Sequence, residues 1–348
     1  MLGTTRLIAF SLLLAIVMAG CQPVATPTGD RYPDIVVYGF STEEAALTEE
    51  VFPAFQDYWR QHTGQEVTFQ SKFAASEDLT DAIIEGAQAD VAVLSNEQHA
   101  VWLHVNDVLE TDWRTFPQGG VVTRSPLVIV VRPGNPLDIE TWADLARPGL
   151  RLIHPDPRTS GGGQWALLAE YGSILLSEDG PADAGARAAQ EQLRAIWANV
   201  VSTPQSAREA LKQFIFGSGD AMVTYEQDAL LAQSRGAAIE VVTPDSTVMS
   251  EHVAVIVDRH VKASEREVVE AFVAFLWSET AQKAFTRCYF RSVVNGALHE
   301  GIEPFPEVTQ AFTVQDLGGW GRAYPEIIHS AWEEHIAPLS SPQANARP

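Results

Sequence analysis

Cysteine, basic side chains and long apolar runs are all scarce in this chain of 348 residues. It has two cysteines, Cys21 and Cys288, and 23 Lys and Arg side chains against 45 Asp and Glu, which gives a formal net charge of -22. Such a surface repels nucleic acid and anionic lipid headgroups, so we expect neither as a partner. His99 and His104 are too far apart to share a helix face cleanly, and there is no Cys/His cluster. We therefore predict no metal site and no cofactor.

The longest apolar run, residues 7–17, follows Arg6 and is too short to span a bilayer. It suits the core of a signal peptide, and Met-Ala-Gly before Cys21 resembles a bacterial lipobox. We predict that residues 1–20 are a lipoprotein signal peptide and that Cys21 carries a lipid. Residues 21–30, rich in Pro, Thr and Ala, are expected to form a flexible leash. The alternative is an ordinary secretory signal with a chance cysteine.

This prediction places the protein outside the cytoplasm, anchored to the bacterial cell membrane and facing the periplasm or the cell surface. Stable retention needs two or more lipid chains. With Cys21 lipidated, Cys288 has no intrachain partner, and we expect it to be a packed small residue.

The remaining chain alternates between short apolar runs and segments of helical periodicity. The patterns follow the order β-α-β-α-β over residues 34–39, 42–61, 66–70, 76–85 and 89–94. This order predicts mainly parallel sheet with helices on its faces.

Two apolar segments, residues 121–131 and 252–257, are predicted to cross between lobes. We therefore predict a two-lobed α/β protein with a ligand cleft between the lobes and a hinge at the two crossing strands. Residues 31–124 together with 253–348 would form lobe 1. Residues 125–252 would form lobe 2.

The stretch PDPRTSGGGQW, residues 155–165, contains the best candidate for a binding site. Ser160 is predicted to cap a helix, and Gly161 and Gly162 have no Cβ, so a ligand can approach their backbone closely. The N–H groups of a helix start favour an anion. A plain helix cap in a loop would produce the same pattern. Ser76 and Ser206 are predicted to cap two further helices, which would form a site only if all three met at one cleft.

The segment LVIVVRPGNPLDIETWADLARPGLRLIHPDPRTSGGGQWALLAEYG, residues 127–172, resembles the sulfate and thiosulfate solute-binding proteins of ABC importers. Shorter segments at residues 219–232, 239–244 and 312–320 share this resemblance in the same order. The resemblance covers nearly all of the chain after the leash. It implies a type II periplasmic-binding fold with two crossing strands as the hinge.

In that family neutral donors hold a dehydrated oxyanion. The resemblance implies that Ser160, Gly161 and Gly162 form one half of the site and that Ser76 opens the early helix across a one-residue insertion. Tyr225 falls where the family has an indole donor. Ser206 or Ala207 falls at the backbone donor of the third helix.

The opposing half departs from the family pattern at Tyr38-Gly39-Phe40-Ser41, in the turn before Ser76 and at residues 203–208. We predict a monomeric binding protein, not an enzyme, that captures a small oxyanion, sulfate or thiosulfate, and delivers it to an ABC permease in the cytoplasmic membrane. The alternative ligands are molybdate, phosphate, ferric iron or an organic solute.

Two further functions stay open. A serine hydrolase would use Ser160, although no Gly-x-Ser-x-Gly element is present. A sensor or an adhesin built on the same two lobes would have the same sequence features.

Overall fold

A computed structural model describes residues 33–177, 182–294 and 305–340. The predicted signal peptide, Cys21 and the leash lie outside the described residues. Among the residues described, no helix is both long enough and apolar enough to cross a bilayer.

The first lobe is built on three strands and the helices that follow them. β1 pairs in parallel with both β2 and β3. A 3-10 turn, Ser41–Glu43, and a π-helical turn, Ala46–Val51, join β1 to the first α-helix. The elements in order are β1 Asp34–Phe40, α1 Phe52–Thr63, β2 Thr68–Ala74, α2 Ser76–Ile84, β3 Val91–Leu94 and α3 Glu97–Val105.

The second lobe is built around a short central strand, β5, which pairs in parallel with β6 and β7. Its elements are β4 Val121–Val131, β5 Leu152–Ile153, α4 Gly161–Leu175, α5 Ala182–Trp197, β6 Val200–Ser202, α6 Ala207–Ile215, β7 Ala221–Tyr225, α7 Glu226–Ser234 and β8 Glu240–Val242.

The chain then returns to the first lobe and closes with helices. These elements are β9 Ser246–Ile256, α8 Arg266–Phe275, α9 Glu279–Arg287, β10 Gln310–Phe312, α10 Trp320–Ala323 and α11 Ala337–Ser340, with a π-helical stretch, Tyr324–Glu334, before α11.

The strands β4 and β9 run between the lobes. The first half of β4 pairs with β9 and its second half pairs with β7 and β8. The last residues of β9 pair with β3. The predicted two-lobed α/β fold with mainly parallel sheet and two crossing strands is therefore confirmed. The lobe boundaries given above stay a prediction.

The second crossing strand is longer than the sequence pattern indicated. It begins at Ser246 rather than at residue 252, and residues 246–251 are buried or half-buried against β4 and β10. Four of these six residues are polar, so this half lacks the continuous apolar run that indicates a strand covered on both faces.

The helix α4 lies at the centre of the molecule, and every residue up to Ser173 is buried. It packs on α5 and on β9. Its third residue, Gly163, lies against the preceding loop: a Cβ there would be 2.4 Å from the Pro155 carbonyl oxygen and 2.9 Å from the Pro157 nitrogen. The loop can therefore fold back on the helix start only because this position has no side chain.

We expect Gly163→Ala to lower the free energy of unfolding by about 1–3 kcal/mol, since backbone atoms cannot move aside as a side chain can. Gly321→Ala in α10 is the matched control, because nothing lies within 4 Å of its Cβ position. Urea unfolding would measure both. Equal stabilities for the two variants would contradict the tight contact at Gly163.

Candidate anion-binding site

The start of α4 is fixed by its own loop and by its cap. The amide of Asp156 donates to the Pro204 carbonyl at 2.8 Å, and the amide of Ser160 donates to the Asp156 carbonyl at 2.8 Å. The Ser160 hydroxyl oxygen then accepts from the amide of Gly163 at 3.2 Å. Accepting this bond does not use the hydroxyl's own proton, so Ser160 can still donate to a ligand.

The absence of side chains at the start of α4 lets the first lobe approach it. A Cβ on Gly161 would lie 1.7 Å from the Ser95 hydroxyl oxygen and 2.9 Å from that of Ser76. These two hydroxyls lie 3.0 Å apart, and Ser76 donates to Ser95. The predicted cap at Ser76 is wrong: Ala75 takes the cap position of α2, and Ser76 is its first residue, with its hydroxyl bonded to Ser95 instead. Ser95 follows β3, so two elements of the first lobe meet the first residue of α4.

The next glycine contacts the second lobe. A Cβ on Gly162 would lie 3.0 Å from the Ala207 Cβ, 3.1 Å from Cε2 of Tyr225 and 3.4 Å from the Ser160 hydroxyl oxygen. Ser206 caps α6 by accepting from the amide of Glu209 at 3.2 Å. Of the two residues predicted at this helix start, Ala207 therefore lies against Gly162, whereas the Ser206 side chain binds its own helix.

The starts of α2, α4 and α6 thus meet at one place, as the sequence hypothesis of a single site requires. The side chains of Ser160 and Ser206 accept hydrogen bonds from the third backbone amides of α4 and α6. The fourth backbone amide of each helix donates to the backbone carbonyl of the same serine. The first two amides of these helices, those of Gly161 and Gly162 and of Ala207 and Arg208, are the donors that a helix start leaves for a ligand.

Tyr225 places a phenol at the same point. The residue ends β7 and is 1% exposed. Its hydroxyl makes no complete hydrogen bond within the described residues. Burial raises the pKa of the Tyr225 phenol well above its ordinary value, and the nearby Ser95 hydroxyl opposes this rise only in part. A buried phenol without a partner is costly, and an anion would supply the acceptor that it lacks.

Ser95 was missed by the sequence analysis. It directly follows β3, is fully buried, and its hydroxyl oxygen lies 3.5 Å from Nδ1 of His99. The signal that could have found it is its place at the carboxyl end of a parallel strand, where open α/β sheets bind their ligands.

Four hydrogen bonds hold the lobes together around this point. The amide of Glu77 donates to the Thr159 carbonyl at 3.0 Å. Gln164 donates to the Glu77 carboxylate at 2.6 Å and accepts from Asn96 at 2.9 Å. The Trp165 indole donates to the Ser95 carbonyl at 2.7 Å. The lobes are therefore closed on one another in this structure.

Positive charge lies near the site without facing it. Arg208, the second residue of α6, reaches Asp228 at 3.4 Å and donates to the Thr42 carbonyl across the lobes at 3.3 Å. A cavity of about 330 Å³ opens beside these helix starts; it is lined in part by Ser41, Ala75, Ser206, Arg208 and Lys212. The side chains that meet at Gly161 and Gly162 present hydroxyls and the methyl group of Ala207, and none of them carries a full charge.

The contacts of Ser160 and the grouping of metal-binding side chains bear on the alternative chemistries. Ser160 is bonded to a backbone amide, and no bond from it to a histidine occurs in the described part of the chain. Within those same residues no group of three or more His, Cys, Asp or Glu could hold a metal ion.

The match to a family model extends over residues 36–291, most of the chain; the model is described as bacterial extracellular solute-binding protein. The chain belongs to this family. A sulfate-binding protein of Synechococcus elongatus is 32% identical over 329 residues, covering 92% of this chain and 91% of that protein. A thiosulfate-binding protein of Pseudomonas aeruginosa is 28% identical over 322 residues, covering 90% and 93%.

The solved structure of the sulfate-binding protein SubI from Mycobacterium tuberculosis is similar to this solute-binding protein with a TM-score of 0.77. The two are 29% identical, and the match covers 85% of this chain and 99% of that one. These findings confirm the family resemblance that the sequence motifs carried. All three relatives are named for binding and none for catalysis.

The ion pair between Arg208 and Asp228, within the second lobe, can be tested directly. Asp228 is buried, and burial raises its pKa while Arg208 and Lys212 lower it. We expect Arg208→Met to lower the free energy of unfolding by about 3–5 kcal/mol, because Asp228 is left as an unpaired buried charge. Urea unfolding at about pH 7 would measure this loss.

The double variant Arg208→Met/Asp228→Asn should recover most of the lost stability, since it has no charge left to pair. The deficit of the single variant should shrink towards about pH 5, because a carboxyl whose folded pKa is raised destabilises the protein as the pH rises. A double variant as unstable as the single one would contradict the charge argument.

Proposed function

We propose that this protein captures a small oxyanion, sulfate or thiosulfate, outside the cytoplasm and delivers it to the permease of an ABC importer. The observation that carries the proposal is the buried Tyr225 phenol, whose hydroxyl lies beside Ser95 without completing a hydrogen bond, at the meeting point of three helix starts. The donors proposed to hold the ligand are Tyr225, Ser76, Ser160 and the amides of Gly161, Gly162 and Ala207, with Ser206 as the cap that orients α6.

Neutral donors suit the charge of the molecule. A formal net charge of -22 repels an anion at long range, so the attraction must come from dipoles at short range. Donors fixed in a dry site also discriminate among anions. A protonated anion would bury an O–H that needs an acceptor, and an unmet bond of this kind is costly.

The names of the relatives support sulfate and thiosulfate as the first ligands to test. The proposal extends to a monomer whose lobes, residues 31–124 with 253–348 and residues 125–252, close about β4 and β9. The ligand would stabilise the closed state through its higher affinity for that state. A lipid on Cys21 would hold the protein at the membrane.

We expect isothermal titration to show tight one-to-one binding of sulfate or thiosulfate. The chain from Asp30 onward suits this measurement, because the described residues, which begin at Pro33, belong to one compact unit. Molybdate, phosphate and ferric citrate complete the panel. Silence towards all tetrahedral anions would reject the proposal.

Replacing Tyr225 with Phe should separate binding from stability. We expect affinity for the anion to fall by about 1.5–3 kcal/mol, the usual worth of a hydrogen bond to a charged group. The melting temperature of the unliganded protein should change little, because the variant removes a buried hydroxyl that completes no hydrogen bond with its neighbour Ser95. Tyr58→Phe, on the exposed side of α1, is the control and should change neither quantity. A loss of stability without a loss of affinity would make Tyr225 structural.

Replacing Ser160 with Ala should affect both quantities. We expect stability to fall by about 1 kcal/mol through loss of the cap, and affinity to fall by about 1.5–3 kcal/mol through loss of the donor. Ser278→Ala is the matched control, since Ser278 caps α9 in the same way, accepting from the amide of Ala281 at 3.1 Å. Unchanged affinity in Ser160→Ala would remove its hydroxyl from the site.

A further inference from the structure

A line of buried polar side chains joins the two crossing strands, and we name it the hinge chain. The Glu43 carboxyl lies 3.1 Å from the Thr123 hydroxyl. That hydroxyl lies 2.9 Å from Nδ1 of His252. Nε2 of His252 lies 3.1 Å from the Ser250 hydroxyl, which is 2.5 Å from the Ser125 carbonyl oxygen.

The hydrogen bond between Ser250 and the Ser125 carbonyl fixes the direction of all the others in the hinge chain. The Ser125 carbonyl can only accept, so Ser250 must donate its single proton to it. Nε2 of His252 must then donate to Ser250. If His252 is neutral, its Nδ1 accepts, and the donor is Thr123. Thr123 has then used its own proton and must accept from Glu43, which requires a proton on the carboxyl group.

The same number of protons would also fit a carboxylate paired with an imidazolium. Burial decides between the two arrangements, since both side chains are fully buried. It raises the pKa of Glu43 to about 8 and lowers that of His252 to about 3. A neutral carboxylic acid and a neutral imidazole cost far less to bury than a carboxylate and an imidazolium that are separated by the Thr123 hydroxyl. The proton therefore resides on Glu43.

The charged groups around Glu43 do not replace this proton. Arg124 and Glu251, which neighbour Thr123 and His252 along β4 and β9, bind each other at 2.8 Å. Arg208 is engaged by Asp228 as described above. The titratable and charged side chains on the other elements packed around the Glu43 turn are Lys72 on β2, Glu209 and Lys212 on α6, Tyr225 on β7 and Cys288 after α9.

The second lobe covers the turn that carries Glu43. Thr42 accepts from Arg208 of α6 at its carbonyl. The ring of Phe40 lies 6.0 Å from that of Tyr225, and the ring of His252 meets Tyr225 edge-on at 5.3 Å. Separating the lobes would remove α6 and Tyr225 from this turn and admit water to Glu43. A hydrated carboxyl returns towards its ordinary pKa and loses its proton at neutral pH.

We propose that Glu43 is a positioning residue that takes up a proton when the lobes close, so that its carboxyl begins the hinge chain and ties β4 to β9 in the closed form. This inference rests on the proposed function, because the anion drives the closure. Glu43 does not contact the ligand; it acts through the crossing strands and through His252 against Tyr225.

The test is isothermal titration of the chain from Asp30 with sodium sulfate in two buffers of different ionisation heat, at about pH 7. We expect close to one proton taken up per sulfate bound. Sulfate itself carries no proton in this range. The closed form binds the extra proton, so the affinity for sulfate should depend on pH between the ordinary pKa of Glu43, 4.5, and its raised pKa of about 8. In this range the affinity should weaken as the pH rises, by up to about tenfold per pH unit, and above about pH 8 it should become constant.

Glu43→Gln should bind sulfate without proton uptake and with an affinity independent of pH, because its amide donates to Thr123 but does not titrate. Glu140→Gln, an exposed carboxyl outside the cavity beside the helix starts, should behave as the unchanged chain. No uptake in the unchanged chain, or equal uptake in Glu43→Gln, would overturn the proposal.

If no anion binds, the proposed function fails, and the protonation of Glu43 is measured separately. In a chain held closed by an engineered disulfide between the lobes, infrared difference spectra against the same chain with Glu43→Gln at neutral pH should then show the carbonyl band of a protonated carboxylic acid. Absence of that band would overturn the hinge-chain proposal, whatever the ligand.

Discussion

Contact between the lobes depends on backbone that has no side chain in the way. The first two residues of α4 are glycines, and a methyl group at the first would overlap the hydroxyl oxygen of Ser95. Because nothing projects there, the starts of α2 and α6, the end of β3 and the phenol of Tyr225 can all approach the same helix start. The interlobe hydrogen bonds of Trp165 and Gln164, one turn further along α4, depend on this approach.

The same arrangement reconciles an acidic protein with an anionic ligand. Amides and hydroxyls attract only over a few ångströms, so the site does not need a cation, and the nearby cation is already committed to Asp228. The acidic exterior and the neutral interior serve different ends: the exterior keeps the protein soluble and away from anionic surfaces, whereas the interior is polar only where the helix starts point.

The sequence revealed the parts of this site that a local pattern specifies. A serine followed by glycines marks a capped helix start, and the caps at Ser160 and Ser206 are present as predicted. The sequence pattern did not predict Ser95, because its contact with Gly161 arises from the pairing of β3 in the sheet. Strand pairing brings together residues that are far apart in the chain. The first half of β9 was missed for a related reason, since its polar residues are buried by neighbours that the sequence does not identify. The hinge chain combines residues from three distant segments, and no one of them is unusual alone.

The bond between Ser76 and Ser95 has a consequence for selectivity. Ser76 already has an acceptor, so a ligand that takes its proton replaces an existing hydrogen bond instead of adding one. The protein thereby contains an internal competitor for its own donor. A weakly basic anion would gain little over the serine that it displaces, whereas a strongly accepting dianion would gain much more. At the proposed site, this contact would set a threshold of acceptor strength that a solute must exceed before it is retained.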